Sequence, residues 1–273
     1  MESQHFDFDG GSLQVCSHSD IGQRSTQEDC YAVMENNGRV LAVICDGMGG
    51  CLGGELASSA AVSKLQTVFM ETPHTGKQFY QEHLDELDAA VYYLKDETGR
   101  RLGAGTTMVS VMICGNLLSW LAVGDSRLYI IRGAEIVQAT RDHNYGEMLL
   151  DLLRSDSITM EQYEEERELH AALTSYLGIG DVKIYDLCTE PFALQDKDIL
   201  LLTSDGLYNA LDVRQILNME ERSAAQIAEA FLNALADLKE DGRDNTTFIL
   251  IEYREKAAPV QQDVPEQGEE IGR

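Results

Sequence analysis

Leu41-Ala42-Val43-Ile44-Cys45-Asp46-Gly47 carries five apolar residues straight into an aspartate and a glycine. A short apolar run bounded by turn residues reads as a buried strand, so the carboxylate stands where the core meets solvent. The same ending recurs at Leu121-Ala122-Val123-Gly124-Asp125 and at Leu200-Leu201-Leu202-Thr203-Ser204-Asp205-Gly206, and Asp244 precedes a further run over 246–251. Carboxylates gathered at strand ends can face one another. Two unit charges about 4 Å apart repel by roughly 4 kcal/mol at an effective dielectric near 20. A cluster of ionised aspartates therefore calls for a cation, and a divalent metal is the obvious candidate.

Outward from these four points, apolar runs and turn residues predict strands over 12–19, 30–35, 39–45, 105–114, 117–123, 127–132, 135–139, 182–188, 198–203 and 245–253. Helical spacing of apolar residues predicts helices over 54–72, 77–97, 212–219 and 223–239. The strands between 105 and 139 read as one antiparallel meander. Strands at both ends of the chain with two helical pairs between them predict two packed sheets with helices on their outer faces. Residues 1–253 read as a single domain. Within it, 142–180 is polar, weakly helical and strongly acidic at 161–168, and reads as a flap whose acidic run is a solvated face. Asp7-Phe8-Asp9-Gly10 reads as a loose terminus, and 254–273 as an acidic, disordered tail.

The chain has 273 residues, 44% of them hydrophobic, enough for a sizeable core. Its 47 acidic and 21 basic residues give a formal charge of −26, which repels nucleic acid and anionic membranes and excludes nonspecific binding to either. Cys16, Cys30, Cys45, Cys51, Cys114 and Cys188 form no C-x-x-C pair and read as reduced packing residues. No segment approaches the roughly 18 uninterrupted apolar residues of a membrane span, and the N-terminus has no basic start or signal-length apolar stretch. The expectation is a cytoplasmic protein.

Chemistry concentrates at the strand ends. Arg24 stands five residues before Asp29, with Glu28 adjacent. A guanidinium matches two oxygens of a phosphate, and Asp29 suits a metal or its water, although the same residues would also serve as a surface ion pair. After Asp46, glycines 47, 49, 50, 53 and 54 leave the backbone open to close approach. No Gly-Lys-Ser/Thr follows them and the spacing is not G-x-G-x-x-G, so a nucleotide phosphate loop is excluded. His5, His18, His74, His83, His143 and His170 show no H-x-x-x-H spacing, although His143 and His170 flank the flap.

Arg24, Glu28-Asp29, Asp46-Gly47, GAGTTMV (103–109), VGDSRLY (123–129), TSDGLYNAL (203–211) and GRDNTTFIL (242–250) together resemble the metal-dependent type 2C serine/threonine protein phosphatases. The resemblance covers about 12–253, in the family's order. It implies an α+β fold, a four-layer α-β-β-α sandwich of two central antiparallel sheets flanked by helix pairs. It further implies two Mn2+ or Mg2+ ions in a cleft at one end, and a third, weaker one. Asp46 then resembles the ligand that bridges both metals, Gly47 a carbonyl donor, and Asp205 and Asp244 ligands of one metal. Glu28 and Asp29 serve the other directly or through water, and Asp125 with Asp205 resembles the third site. Arg24 would bind the substrate phosphate. Oxygen donors without clustered His or Cys suit magnesium or manganese rather than zinc.

The implied reaction is hydrolysis of phosphoserine and phosphothreonine by a water activated between two ions, with no covalent phosphoenzyme. Implied partners are phosphorylated proteins and a cognate serine/threonine kinase in a bacterial cytosol, the chain itself being a monomer. Two positions depart from the pattern. Met48 stands where many eukaryotic relatives carry a histidine proposed as general acid, and Asn209 where some have another acid near the third metal. A catalytically silent binder of phosphoproteins would have lost an aspartate, and none is missing; a small-molecule phosphatase on the same scaffold is a further alternative.

Overall fold

Two-residue turns fold the first 48 residues into two hairpins, β1 (Glu2–Phe8) with β2 (Gly11–Asp20) and β3 (Asp29–Asn36) with β4 (Arg39–Met48). The first turn is Asp9-Gly10, whose glycine takes the left-handed φ of +89° that a tight hairpin demands. The expected loose terminus at Asp7–Gly10 is therefore the corner of an ordered hairpin. Helices α1 (Gly53–Glu71) and α2 (Gly76–Tyr92) follow, then β5 (Gly105–Thr106), β6 (Met108–Cys114), β7 (Leu117–Val123), β8 (Arg127–Arg132) and β9 (Glu135–Gln138). The expected flap carries α3 (Tyr145–Arg154) and α4 (Met160–Glu165). After them come β10 (Asp186–Leu187), β11 (Phe192–Ala193), β12 (Ile199–Thr203), α5 (Asp205–Ala210), α6 (Val213–Leu217), α7 (Ala224–Asp237) and β13 (Thr246–Glu255). The structure is a computed structural model and describes residues 1–49, 53–217, 223–238 and 242–256.

One sheet has the order β1-β2-β13-β12-β8-β9; the other runs β10-β7-β6-β4-β3, with β11 on β7 and β5 on β4. Every pairing is antiparallel. The period-2 geometry of a strand divides β4 between two cores. Val40, Ala42 and Ile44 meet Leu200, Leu202, Ile249 and Ile251 between the sheets, while Leu41, Val43 and Cys45 meet Leu65, Phe69 and Leu87 of α1 and α2. On the opposite outer face Leu201, Phe248 and Leu250 pack against Leu207, Val213, Ile227 and Phe231 of α5, α6 and α7. The result is the four-layer α+β sandwich, with three helices among the described residues on the second face rather than a pair. Each buried Leu, Ile or Phe contributes roughly 1.5–3 kcal/mol.

The expected meander over 105–139 is divided between the sheets. β6 and β7 pair in one and β8 and β9 in the other, so residues 124–126 cross from sheet to sheet. That crossing places Asp125 on the rim of the sandwich, next to the end of β4.

The flap is more helical than its composition implied. Asn144 caps α3 by accepting from the Glu147 N–H at 2.9 Å, and Thr159 and Gln162 form a reciprocal capping box on α4. The expected strand over 182–188 shrinks to Asp186–Leu187. Residues 257–273 of the expected tail, together with Gly50 and Cys51, lie outside the described residues, while Arg254 and Glu255 extend β13. Cys16, Cys30, Cys45, Cys114 and Cys188 are free thiols. Among the described residues no helix is long and apolar enough to cross a membrane.

Candidate metal centre

Strand register brings the acids together. Asp29 opens β3 directly opposite Asp46 near the end of β4. Both continue the side of their strands that faces the other sheet, because Ile44 and Tyr31, two residues inward, pack in the core between the sheets. From that other sheet, β12 delivers Ser204 and Asp205, and Asp244 and Asn245 lead into β13. The backbone of Asp46 is fixed on both sides. Its N–H donates to Thr107 Oγ1 at 3.0 Å, and its carbonyl accepts from the Thr107 N–H at 2.8 Å and from Thr106 Oγ1 at 2.9 Å. Gly47 allows a close approach, since its N–H donates to the Glu28 carbonyl at 3.1 Å where a side chain would collide with Gly54.

The loop that carries Arg24 and Glu28 hangs on Asn245, which sequence reading did not single out. Asn245 Oδ1 accepts from the Glu28 N–H at 2.7 Å, and Nδ2 donates to the carbonyls of Ile21 at 2.9 Å and Thr26 at 3.0 Å. Arg24 Nη2 donates to Asp244 Oδ2 at 2.6 Å across a half-exposed pair. Of the two readings of Arg24, the structure thus shows an ion pair, with Asp244 as partner instead of the adjacent Glu28 and Asp29.

The acids perturb one another. Burial pushes Asp46 well above the usual carboxylate range, and the charges of Asp29, Asp205, Asp125 and Asp244 push it further. Asp29 rises to about 6, chiefly through burial, against the hydrogen bond from Ser204 that lowers it. Asp205 is raised by burial and then by Asp244, while a hydrogen bond with Asp46 draws it back. Asp125 rises to about 7 through burial, with Asp205 the largest neighbouring charge. Asp29, Asp46, Asp125 and Asp205, each raised by burial and by neighbouring carboxylates, form one electrostatic unit.

The donor set fits a hard divalent cation. Asp29 Oδ1 is buried without a hydrogen-bond partner, which is costly for a carboxylate oxygen unless a cation meets it. Among the described residues, no three His, Cys, Asp or Glu side chains already enclose an ion-sized point. A magnesium-like ion that keeps several waters and takes one or two carboxylates requires no such cage.

Around Asp125 the packing is tight. The Tyr208 hydroxyl donates to the Asp125 carbonyl at 3.1 Å, and the Arg127 guanidinium lies 3.5 Å over the Tyr208 ring while it pairs with Asp142 at 2.6 Å. Asn209 Nδ2 donates to Asp205 Oδ2 at 3.1 Å, so the residue that departs from the family pattern holds Asp205 by a neutral contact. A cleft of about 250 Å³ opens beside Asp125 and Asp205 and is roofed by Glu147, Leu150 and Tyr163 of the flap. His143 is buried, with Nδ1 accepting from the Gly124 N–H at 3.0 Å, and it supports the sheet crossing. His170 Nε2 meets the Tyr163 carbonyl at 3.0 Å and its ring packs on Tyr163, so it braces the flap.

A pH-dependent stability follows from Asp125. Its folded-state value of about 7 exceeds the unfolded 3.8, so its contribution is fully present below about pH 4 and is lost as pH rises through 7. In chelator, Asp125→Asn should therefore stabilise the chain at pH 8 by about 1–3 kcal/mol, and by much less at pH 5. Thermal melts at the two pH values measure the difference. An equal effect at both would contradict the assigned burial.

Comparison with known proteins gives a consistent result. The sequence profile of the family described as Protein phosphatase 2C matches residues 17–243. The protein phosphatase PhpP of Streptococcus pneumoniae serotype 2 (strain D39 / NCTC 7466) is 28% identical over 257 residues, 90% of this chain and 100% of that protein. The serine/threonine phosphatase of S. agalactiae superposes with a TM-score of 0.72 at 26% identity, over 88% of this chain and 98% of its own. The catalytic domain of the serine threonine protein phosphatase PstP, solved in complex with 2 manganese ions, shares the fold with a TM-score of 0.68 at 24% identity, over 89% of this chain and 98% of its own.

Proposed function

The chain belongs to the protein phosphatase 2C family, and on that premise we propose that it hydrolyses phosphoserine and phosphothreonine in proteins at the carboxylate cluster around Asp46. The observation that carries this reading is the bare, buried Oδ1 of Asp29, on the residue paired with Asp46 in register. Asp46, Asp205, Asp244, Asp29, Glu28 and the Gly47 carbonyl would hold two Mn2+ or Mg2+ ions. Asp125 with Asp205 would hold a weaker third. When bound, such ions act as Lewis acids and make hydroxide available from water near neutral pH.

The chain's own residues supply placement. Arg24 exchanges its single bond to Asp244 for the substrate phosphate, whose oxygens its planar guanidinium can meet two at a time, and this leaves Asp244 free to ligate. Met48 has no proton to offer the leaving oxygen, so that proton would come from water or from a group of the flap. The domain runs from the N-terminus to the end of β13 at Glu255, acts as a monomer in the cytoplasm, and opposes a serine/threonine kinase.

The test is Mn2+-dependent release of phosphate from a phosphothreonine peptide by the purified chain. Turnover that EDTA abolishes supports the reading; metal-independent turnover, or none, sinks it. Arg24→Ala should lower kcat/KM by about 10–100-fold, the worth of roughly 1.4–2.8 kcal/mol of charge-assisted phosphate contact. An unchanged kcat/KM would leave Arg24 as the ion-pair partner of Asp244 alone.

A further inference from the structure

Ser204 stands immediately before α5 with the extended backbone of a helix N-cap (φ −73°, ψ 171°), yet its side chain makes no capping hydrogen bond. Serine is favoured at that position because its oxygen accepts from N–H groups of the first turn. Ser223 shows the usual behaviour at the start of α7, where it accepts from Gln226 in a capping box. At Ser204 the hydroxyl is engaged elsewhere.

The Thr247 N–H donates to Ser204 Oγ at 3.0 Å, and the Ser204 hydroxyl donates to Asp29 Oδ2 at 2.7 Å. The other acceptor within reach, the Thr247 carbonyl, is 3.5 Å away, and a short bond to a carboxylate prevails over it. Ser204 is fully buried, and Thr247 is braced in turn by Ser19, whose hydroxyl lies 2.9 Å from Thr247 Oγ1 and 2.7 Å from Gln27 Nε2. This chain of polar groups crosses from the sheet of β2, β12 and β13 to β3 of the other sheet. It fastens one oxygen of Asp29 and leaves the other without a partner.

We propose that Ser204 is a positioning residue for the metal centre: it holds Asp29 Oδ2 from the opposite sheet so that Oδ1 remains the oxygen presented to a divalent cation. The proposal rests on the reading of Asp29 as part of a metal site. A serine that forgoes its cap loses local helix stability, and orientation of a ligand is the compensating gain. Outer partners of metal ligands carry about 10–100-fold in metal affinity.

The experiment titrates the full chain with Mn2+ alone, free Mn2+ being followed by its EPR signal. Ser204→Ala should weaken the dissociation constant by about 10–100-fold, while the metal-free melting temperature falls only by what the orphaned, buried Thr247 N–H costs. Ser204→Gly, which suits an N-cap and lacks the hydroxyl, should weaken it equally and serves if the alanine variant fails to fold. Ser223→Ala should lower the melting temperature and leave Mn2+ affinity unchanged. Wild-type affinity in Ser204→Ala or Ser204→Gly would overturn the proposal alone. A wild-type chain that binds no Mn2+ would overturn it together with the reading beneath it.

Discussion

Asp46→Asn should lower kcat on a phosphothreonine peptide by about 1,000-fold or more, while the metal-free variant remains folded and outlasts wild type in thermal melts above pH 7. The catalytic loss follows if Asp46 ligates both ions. Removing a shared ligand forfeits several kcal/mol of Lewis-acid stabilisation, and about 4 kcal/mol corresponds to a thousandfold. The stability gain has the opposite sign for an electrostatic reason. Burial and four neighbouring acids hold the Asp46 carboxyl well above its unfolded value, so its contribution to stability is lost as pH rises through its folded value. Asparagine keeps the shape and removes that loss. A variant that loses activity through unfolding would show the reverse in the melt, so kcat and melting temperature in EDTA together decide the matter.

Gly47→Ala should destabilise the chain by about 3 kcal/mol and depress Mn2+ binding along with it. A methyl group on Gly47 would fall on the backbone of Gly54 at the start of α1 and come within 2.8 Å of the Glu28 carbonyl oxygen. Neither neighbour is the free end of a flexible side chain, so β4 must shift away from α1 or from the Glu28 segment. That shift breaks the Gly47 N–H bond to Glu28 and moves the carbonyl expected to face the metal. For a domain of this size the melting temperature should fall by roughly 6–12 °C. A melting temperature within a degree of wild type would show that the backbone yields freely here and that the close packing is incidental.

What the sequence disclosed depended on range. The alternation along Val40–Cys45 was legible because burial on both faces of a strand writes itself as an uninterrupted apolar run, and the following aspartate then marks a rim. The assignment of β7 and β8 to different sheets was not legible. Gly124-Asp125 looks like a hairpin turn in sequence, and only pairing of β8 with the distant β12 shows that the chain crosses over. The first hairpin was missed although Asp9-Gly10 is a strong turn signal, because β1 has an exposed, polar composition that its pairing to β2 overrides. In the flap, two N-cap signatures carried more information than the acidic composition that obscured them.

At the site, acids could be named from their place after apolar runs, but partners could not. The pairing of Arg24 with Asp244 joins residues 220 positions apart, and the bond from Ser204 to Asp29 joins residues 175 apart. Ser204 is hidden further because a serine before a helix already has a local explanation. Asn245 looks like a neighbour of Asp244, yet its amide carries the Arg24 loop.

The central claim is that Asp29, Asp46, Asp205 and Asp244 hold divalent ions at the joint end of the two sheets. Crystals grown with Mn2+ and measured at the manganese absorption edge test it most directly. The account predicts two strong anomalous peaks within the cluster of Asp29, Asp46, Asp205 and Asp244, both in contact with Asp46 and none remaining in Asp46→Asn. Strong peaks elsewhere, or none at the cluster in crystals of an enzyme that turns over with Mn2+, would contradict it.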